Sequence, residues 1–206
     1  MLRVAFDIGN VLCHFDISKF TTKLSQVLGV SDHDAYFFLD HIQASQDIGV
    51  TTVAKSLEYK FKLNAGEMSE LLDAWNDTLK PSEQMLNFMD NLRDIGIKIA
   101  LLSNMGPEHA SFLRSTCPRM FDDTIQHLSF EVGARKPTKL FFQSFCLNND
   151  DFSSCLYLDD IEENLKAGKK FGFKVYRFHL DEFNQLPPSR RKMELDKIQT
   201  MIINNV

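Results

Sequence analysis

Four places in the chain carry side chains suited to one kind of chemistry: Asp7, Ser103, Lys136 and the pair Asp159-Asp160. Each stands where a short apolar run stops, or in the loop after one. Together they offer three carboxylates, a hydroxyl and an ammonium group. Carboxylates crowded into one pocket repel one another unless a cation lies among them. Magnesium takes oxygen ligands, commonly one or two carboxylates together with water and substrate phosphate. A lysine beside such a cation offsets the charge that remains on a phosphoryl group. The set therefore suits a divalent cation and a phosphate ester. Taken singly, Asp7, Asp160 and Ser103 are equally ordinary as turn or helix caps, and Lys136 as a solvated surface lysine. Their agreement in order along the chain carries the reading.

The elements needed to position them are legible from hydrophobic spacing. Leu2-Arg3-Val4-Ala5-Phe6 reads as a short apolar strand that ends abruptly at Asp7-Ile8-Gly9-Asn10. From Asp16 to Leu79 no strand-like run appears, and amphipathic helices follow one another. Phe20, Leu24, Val27 and Leu28 share one face of the first, which Gly29 closes. Ser31-x-x-Asp34 and Asn64-x-x-Glu67 are helix-start signals ahead of Tyr36-Phe37-Phe38 and of Met68, Leu71, Leu72 and Trp75. After Pro81, helix and strand alternate. A helix through Met85, Leu86, Met89 and Leu92 ends at Gly96, and the strand Ile97 to Leu102 stops at Ser103-Asn104. Pro107 opens a helix, a weaker strand covers Thr124 to Leu128, and Phe141, Phe142 and Phe145 lie on the next helix. Cys155-Leu156-Tyr157-Leu158 is a strand that stops at Asp159-Asp160. A helix then runs to Gly172, Phe173 to Phe178 forms a last strand, and a terminal helix follows the Pro187-Pro188 break. Alternating β and α units predict an α/β fold with a parallel sheet, whose ligands collect beyond the carboxyl ends of the strands.

Composition narrows the partners. With 206 residues, 44% hydrophobic and 25% charged, the chain is an ordinary globular one, and disorder, collagen and coiled coil are excluded. A net charge of -5 leaves no basic field for a nucleic acid or an anionic membrane surface. Apolar runs fall far short of a membrane span and no signal-peptide core opens the chain, so a cytoplasmic protein is expected. Cys13, Cys117, Cys146 and Cys155 show neither zinc-site nor disulfide spacing, and reduced packed thiols are expected. Arg190-Arg191-Lys192 reads as a solvated helix face, and the 18 phenylalanines as core.

The order Asp7-x-Gly9-Asn10-Val11-Leu12, then Leu102-Ser103-Asn104, then Lys136-Pro137, then Leu158-Asp159-Asp160 resembles the haloacid dehalogenase-like superfamily over nearly the whole chain. Phe6-Asp7-Ile8-Gly9-Asn10-Val11 and Gly133-x-Arg135-Lys136-Pro137 are similar to its bacterial sugar-phosphate phosphatases, glucose-1-phosphate phosphatases included. The resemblance implies a Rossmann-like parallel-sheet core of residues 1–14 and 81–206, with a helical cap domain of 15–80. It implies that Asp7 attacks phosphorus to form an aspartyl-phosphate. Magnesium is then expected on Asp7, the Gly9 carbonyl and Asp160, with Asp159 a direct or water-mediated ligand. Ser103 and Lys136 are expected on the phosphoryl oxygens, with Asn104 and Asn10 as further substrate contacts. The expected partner is a small phosphorylated metabolite, the protein being monomer or homodimer.

One position departs from the resemblance. The phosphatase pattern is Asp-x-Asp, its second aspartate serving as acid and base; here Gly9 holds that place. A positioned acid-base contributes about 10²- to 10⁴-fold. Its absence points to a substrate with a good leaving group, such as a sugar 1-phosphate, or to a stand-in such as His14 or Asp16. Asp16 is also the expected cap of the first helix. Two other readings stay open. Ser103-Asn104 also resembles the step found in metal-independent 2-haloacid dehalogenases, and a chain without the acid-base could instead bind a phosphorylated ligand or partner protein without turnover.

Overall fold

The computed structural model describes residues 2–152 and 154–204. Among the described residues, seven strands and eleven α-helices alternate largely as the hydrophobic spacing requires. In chain order they are β1 (Arg3–Phe6), β2 (Cys13–Phe15), α1 (Ser18–Leu28), α2 (Asp32–Asp47), α3 (Val53–Lys60), α4 (Ala65–Asn76), β3 (Leu79–Pro81), α5 (Glu83–Asp94) and β4 (Lys98–Ser103). There follow α6 (Pro107–Thr116), β5 (Thr124–Leu128), α7 (Ser129–Val132), α8 (Lys139–Asn148), β6 (Leu156–Asp159), α9 (Glu162–Lys170), β7 (Lys174–Arg177), α10 (Leu180–Asn184) and α11 (Pro188–Ile203).

Five strands form one sheet in the order β5-β4-β1-β6-β7, every neighbouring pair parallel. Parallel strands are buried on both faces, and this sheet divides its residues between two cores by the two-residue period of a strand. Val4, Phe6, Ile99, Leu101, Leu156 and Leu158 point to one side, where Leu86, Met89, Leu113 and Ile198 of the flanking helices meet them. Ala5, Ala100, Leu102 and Tyr157 point to the other, against Phe141, Phe142, Phe145 and Phe173. From β1 the chain moves outward to β4 and β5, then returns across β1 to β6 and β7. Strand order therefore reverses at β1, and the ends of β4 and β6 lie on either side of the end of β1.

The helices between Ser18 and Asn76 bury a third cluster of their own, built on Phe20, Leu24, Phe38, Leu57, Leu71 and Trp75. Their ends follow the sequence signals. Gly29 takes the left-handed conformation (φ 65°) that closes α1, Ser31 accepts from the Asp34 N–H, and Asn64 with Glu67 forms a capping box. The chain enters and leaves this unit through an antiparallel ribbon that sequence spacing does not predict, β2 pairing with β3 at Cys13↔Pro81, His14↔Lys80 and Phe15↔Leu79. Three residues are too few to show a period of two. The ribbon straddles the expected boundaries at 14/15 and 80/81. The short helices α7 and α10 are likewise unforeseen. Among the described residues no helix is long and apolar enough to cross a membrane, and all four cysteines are free.

Candidate functional site

Asp7 is the residue after β1, and its N–H still donates to the Leu158 carbonyl (2.9 Å), so the sheet itself fixes its backbone. The carboxylate is buried. Its Oδ1 accepts from the Ile8 N–H at 2.7 Å and its Oδ2 lies 3.0 Å from Lys136 Nζ. Lys136 reaches Asp7 from the loop after α7, where the Lys136-Pro137 peptide is cis and Asn104 brackets the lysine backbone. The Asn104 amide donates to the Lys136 carbonyl at 3.0 Å and accepts from the Lys136 N–H at 2.7 Å. The Lys136 ammonium is wholly buried and points its protons at the Leu102 carbonyl (2.8 Å), Asp159 Oδ2 (2.7 Å) and Asp7. Asp159, also wholly buried, accepts in addition from the Tyr157 hydroxyl, the Ile161 N–H (2.8 Å) and the Asn164 amide (3.1 and 3.2 Å).

Asp160 is in a different position. It is half-buried, and its one side-chain partner is the Asn10 amide, 3.0 Å from Oδ2. Asn10 adopts a left-handed backbone (φ 54°), a conformation asparagine tolerates better than most residues, and its side-chain Oδ1 accepts from the Phe15 N–H at 3.3 Å. Carboxylate oxygens of Asp7, Asp159 and Asp160 lie within 4.8 Å of one another.

The charges respond to this crowding. Burial first, then repulsion from Asp159 and Asp160, pushes the Asp7 carboxyl up to about 7 against the pull of Lys136. Burial raises Asp160 as well, with Asp159 adding to it and the Asn10 bond opposing. Burial works against the Asp159 carboxylate too, yet Lys136 and the hydroxyl and N–H donors outweigh it and hold that acid below its usual range. Lys136 in turn stays above its ordinary value because Asp159 and Asp7 outweigh its desolvation. Asp7 and Asp160 are thus hard oxygen donors, under-compensated by the protein, converging on one point. That donor set fits magnesium.

The cluster forms the floor of a cavity of about 380 Å³ between the sheet edge and the helical unit. Ser103, at the end of β4, lines it beside Asp7 and Gly9, and Phe15, Ile17, Tyr36, Leu39 and Trp75 supply an apolar wall. Trp75 stacks on His109 with ring centroids 4.2 Å apart, and His109 Nε2 donates to the Trp75 carbonyl at 2.8 Å. Burial holds His109 down to about 4, so it is a neutral wall. A Cβ built on Gly9 would meet nothing within 4 Å, so the place of the missing acid is open space.

Asp7, Gly9, Asn10, Ser103, Asn104, Lys136, Asp159 and Asp160 are brought together here, several with protein partners of their own. The Asn10 side chain, expected on substrate, donates to Asp160. The Asn104 side chain, also expected there, clamps the Lys136 backbone. Both residues nevertheless line the cavity. Asp159, expected as a direct or water-mediated ligand, has both oxygens occupied by protein donors. Neither stand-in for the acid-base reaches the cavity: His14 Nδ1 faces Asp181 at 2.7 Å, and Asp16 accepts from the Ser18 N–H and hydroxyl at the start of α1. Sequence reasoning missed Asp47, Asn164 and Tyr157 as site residues. Asn164 stands five positions after Asp159, at the start of α9, and that spacing was the one available signal.

No family model matches the sequence. Solved structures do. A HAD family enzyme from Bacteroides thetaiotaomicron, in complex with magnesium and inorganic phosphate, aligns with a TM-score of 0.74 and 23% identity, over 86% of this chain and 93% of that one. A predicted HAD-like family hydrolase from Porphyromonas gingivalis aligns with a TM-score of 0.72 and 21% identity over 94% and 98%. The L-2-haloacid dehalogenase PA0810 aligns less well, with a TM-score of 0.60 and 16% identity over 85% and 83%.

Proposed function

The chain has the haloacid dehalogenase-like fold, and from that premise we propose that it is a magnesium-dependent phosphatase acting on a small phosphorylated metabolite through an aspartyl-phosphate on Asp7. The observation that carries this is the meeting of Asp7, Asp160 and Lys136 on the floor of one cavity, with two of the three acids under-compensated. Asp7, Asp160 and the Gly9 carbonyl would hold magnesium, which when bound offsets carboxylate repulsion and draws charge from the phosphoryl oxygens. Asp7 is oriented by the Ile8 N–H and Lys136 so that one carboxylate oxygen can attack phosphorus. Lys136, gripped by Asp159 and the Leu102 carbonyl, cannot follow the phosphate out and so acts as a fixed positive charge beneath it. Ser103 supplies a hydroxyl to a non-bridging oxygen. The apolar wall excludes water and takes the carbon part of the ester, and residues 15–80 act as the cap that closes over it. A sugar phosphate is one member of that substrate class.

The test is hydrolysis of p-nitrophenyl phosphate, whose leaving group barely needs a proton, with magnesium, with EDTA, and by Asp7→Asn. Turnover is expected with magnesium and is expected to vanish in both controls. Absence of turnover with magnesium, or full turnover by Asp7→Asn, would overturn the reading. A metal-independent dehalogenase has no need of Asp160 in the cluster; halide release from a 2-haloacid in EDTA would favour it nonetheless.

A further inference from the structure

The tip of α2 docks on the catalytic loops at several points. Gln46 is buried with its side chain laid against Gly106, so closely that a Cβ there would stand 1.5 Å from its Nε2. Gly49 presses on the Phe130 carbonyl, 2.6 Å from where its own Cβ would be; with φ at 75° that turn has two reasons to be glycine. The Ala54 N–H, at the start of α3, donates to Glu108 on α6 at 3.1 Å. Between these anchors Asp47 is carried to the cavity wall. Its side chain is more than nine-tenths buried, and its Oδ2 lies 3.2 Å from Arg135 Nη2 without the alignment of a hydrogen bond. It lines the same cavity as Asp7 and Gly9.

Five ionisable groups of the described residues line this cavity besides Asp7, Asp160 and Lys136: Tyr36, Asp40, Asp47, His109 and Arg135. His109 is neutral and tied to Trp75, an arginine does not release its proton, and Tyr36 and Asp40 are exposed to water. We infer that Asp47, delivered by the cap, is the acid and base that Gly9 cannot be. The inference rests on the phosphatase reading. Burial pushes the Asp47 carboxyl up to about 6, against the pull of Arg135 and Lys136, which places it where a proton can be both given and taken near neutral pH.

The steps balance. As an Asp7 oxygen bonds to phosphorus and the bond to the leaving oxygen breaks, the Asp47 proton passes to that oxygen and the alcohol departs. Water then gives a proton back to Asp47 while its oxygen bonds to phosphorus. The bond to Asp7 breaks, inorganic phosphate leaves, and both carboxyls are restored. Arg135 keeps the Asp47 carboxylate paired between the two steps. An acid carried on the cap would act only when the cap is docked, so hydrolysis would wait for closure over substrate.

The experiment is a leaving-group series, kcat/KM on p-nitrophenyl, phenyl and ethyl phosphate for wild type and Asp47→Asn, because kcat/KM reports the step in which the leaving oxygen needs its proton. Asp47→Asn is expected to lose about 10²-fold or more on ethyl phosphate and no more than about threefold on p-nitrophenyl phosphate. Asp47→Glu is expected to regain part of the ethyl phosphate rate. A loss equal across the series, or none, would overturn the assignment while wild-type turnover left the phosphatase reading standing. A wild type inactive on every ester would overturn both. Should the asparagine variant fail to fold, Asp47→Ser is read on the same series by the same criteria.

Discussion

Asp159 and Asp160 are neighbours in the chain and opposites in the fold. The first, at the end of β6, is sealed under the site with a lysine, a hydroxyl, an N–H and an amide on its oxygens. The second, one residue on, stands at the rim with a single amide and in sight of Asp7. The floor is satisfied by the protein and the rim carries far fewer protein donors. Burying a charge is tolerable only when it is paired and hydrogen-bonded, and a cluster meant for a cation has to forgo that pairing. On the proposed function, the difference separates residues that hold the site from residues that use it, although all are acids or bases of the same motifs.

Lys136→Met should break the floor. It leaves Asp159 and Asp7 buried without their counter-charge, and a cost of about 3–5 kcal/mol is expected in urea unfolding, whether or not magnesium is present. A shift below about 1 kcal/mol would show that the floor is not what the hydrogen bonds suggest. Asp160→Asn should sharpen the contrast from the other side. Stability without metal is expected to hold or rise as repulsion falls, while the magnesium needed for half-maximal turnover climbs by at least about tenfold, as for other residues that set metal affinity. Destabilisation on the scale of Lys136→Met would erase the distinction.

The smallest effect is in pH. Asp7 and Asp160 both prefer their protonated forms in the folded state. The contribution of Asp7 to stability is complete below its unfolded pKa of 3.8 and is lost as pH rises through about 7, and that of Asp160 is lost in the same direction. Asp159 runs the other way; its contribution disappears only in acid, below the window in which the rim titrates. Without metal, the urea midpoint is thus expected to fall between pH 4 and 7, to recover at pH 8 on adding magnesium, and to change less with pH in Asp7→Asn. A midpoint indifferent to magnesium at pH 8 would count against the rim as a cation site.

Much of the architecture was legible because it is periodic. The apolar runs Val4-Ala5-Phe6 and Leu156-Tyr157-Leu158 declare buried strands, and Asn64 with Glu67 declares a helix start, by chemistry confined to a few residues. What escaped was short or distant. Three-residue strands such as β2 and β3 have no period to read, and the pairing of Cys13 with Pro81 spans the whole helical unit.

The site divides in the same way. From the sequence alone come the identities of Asp7, Ser103, Lys136 and Asp160, their order, and the strand ends and loops that carry them, which follow from residue type and local pattern, and, through the family resemblance, the glycine where an acid was expected. Only the tertiary structure decided which acid is spent on Lys136 and which is left for a ligand, that Asn10 and Asn104 hold other site residues, and that Asp47 comes to the cavity on a helix far from every motif. Those outcomes depend on which donors surround each oxygen and how much water is excluded, and both are properties of packed neighbours from separate parts of the chain.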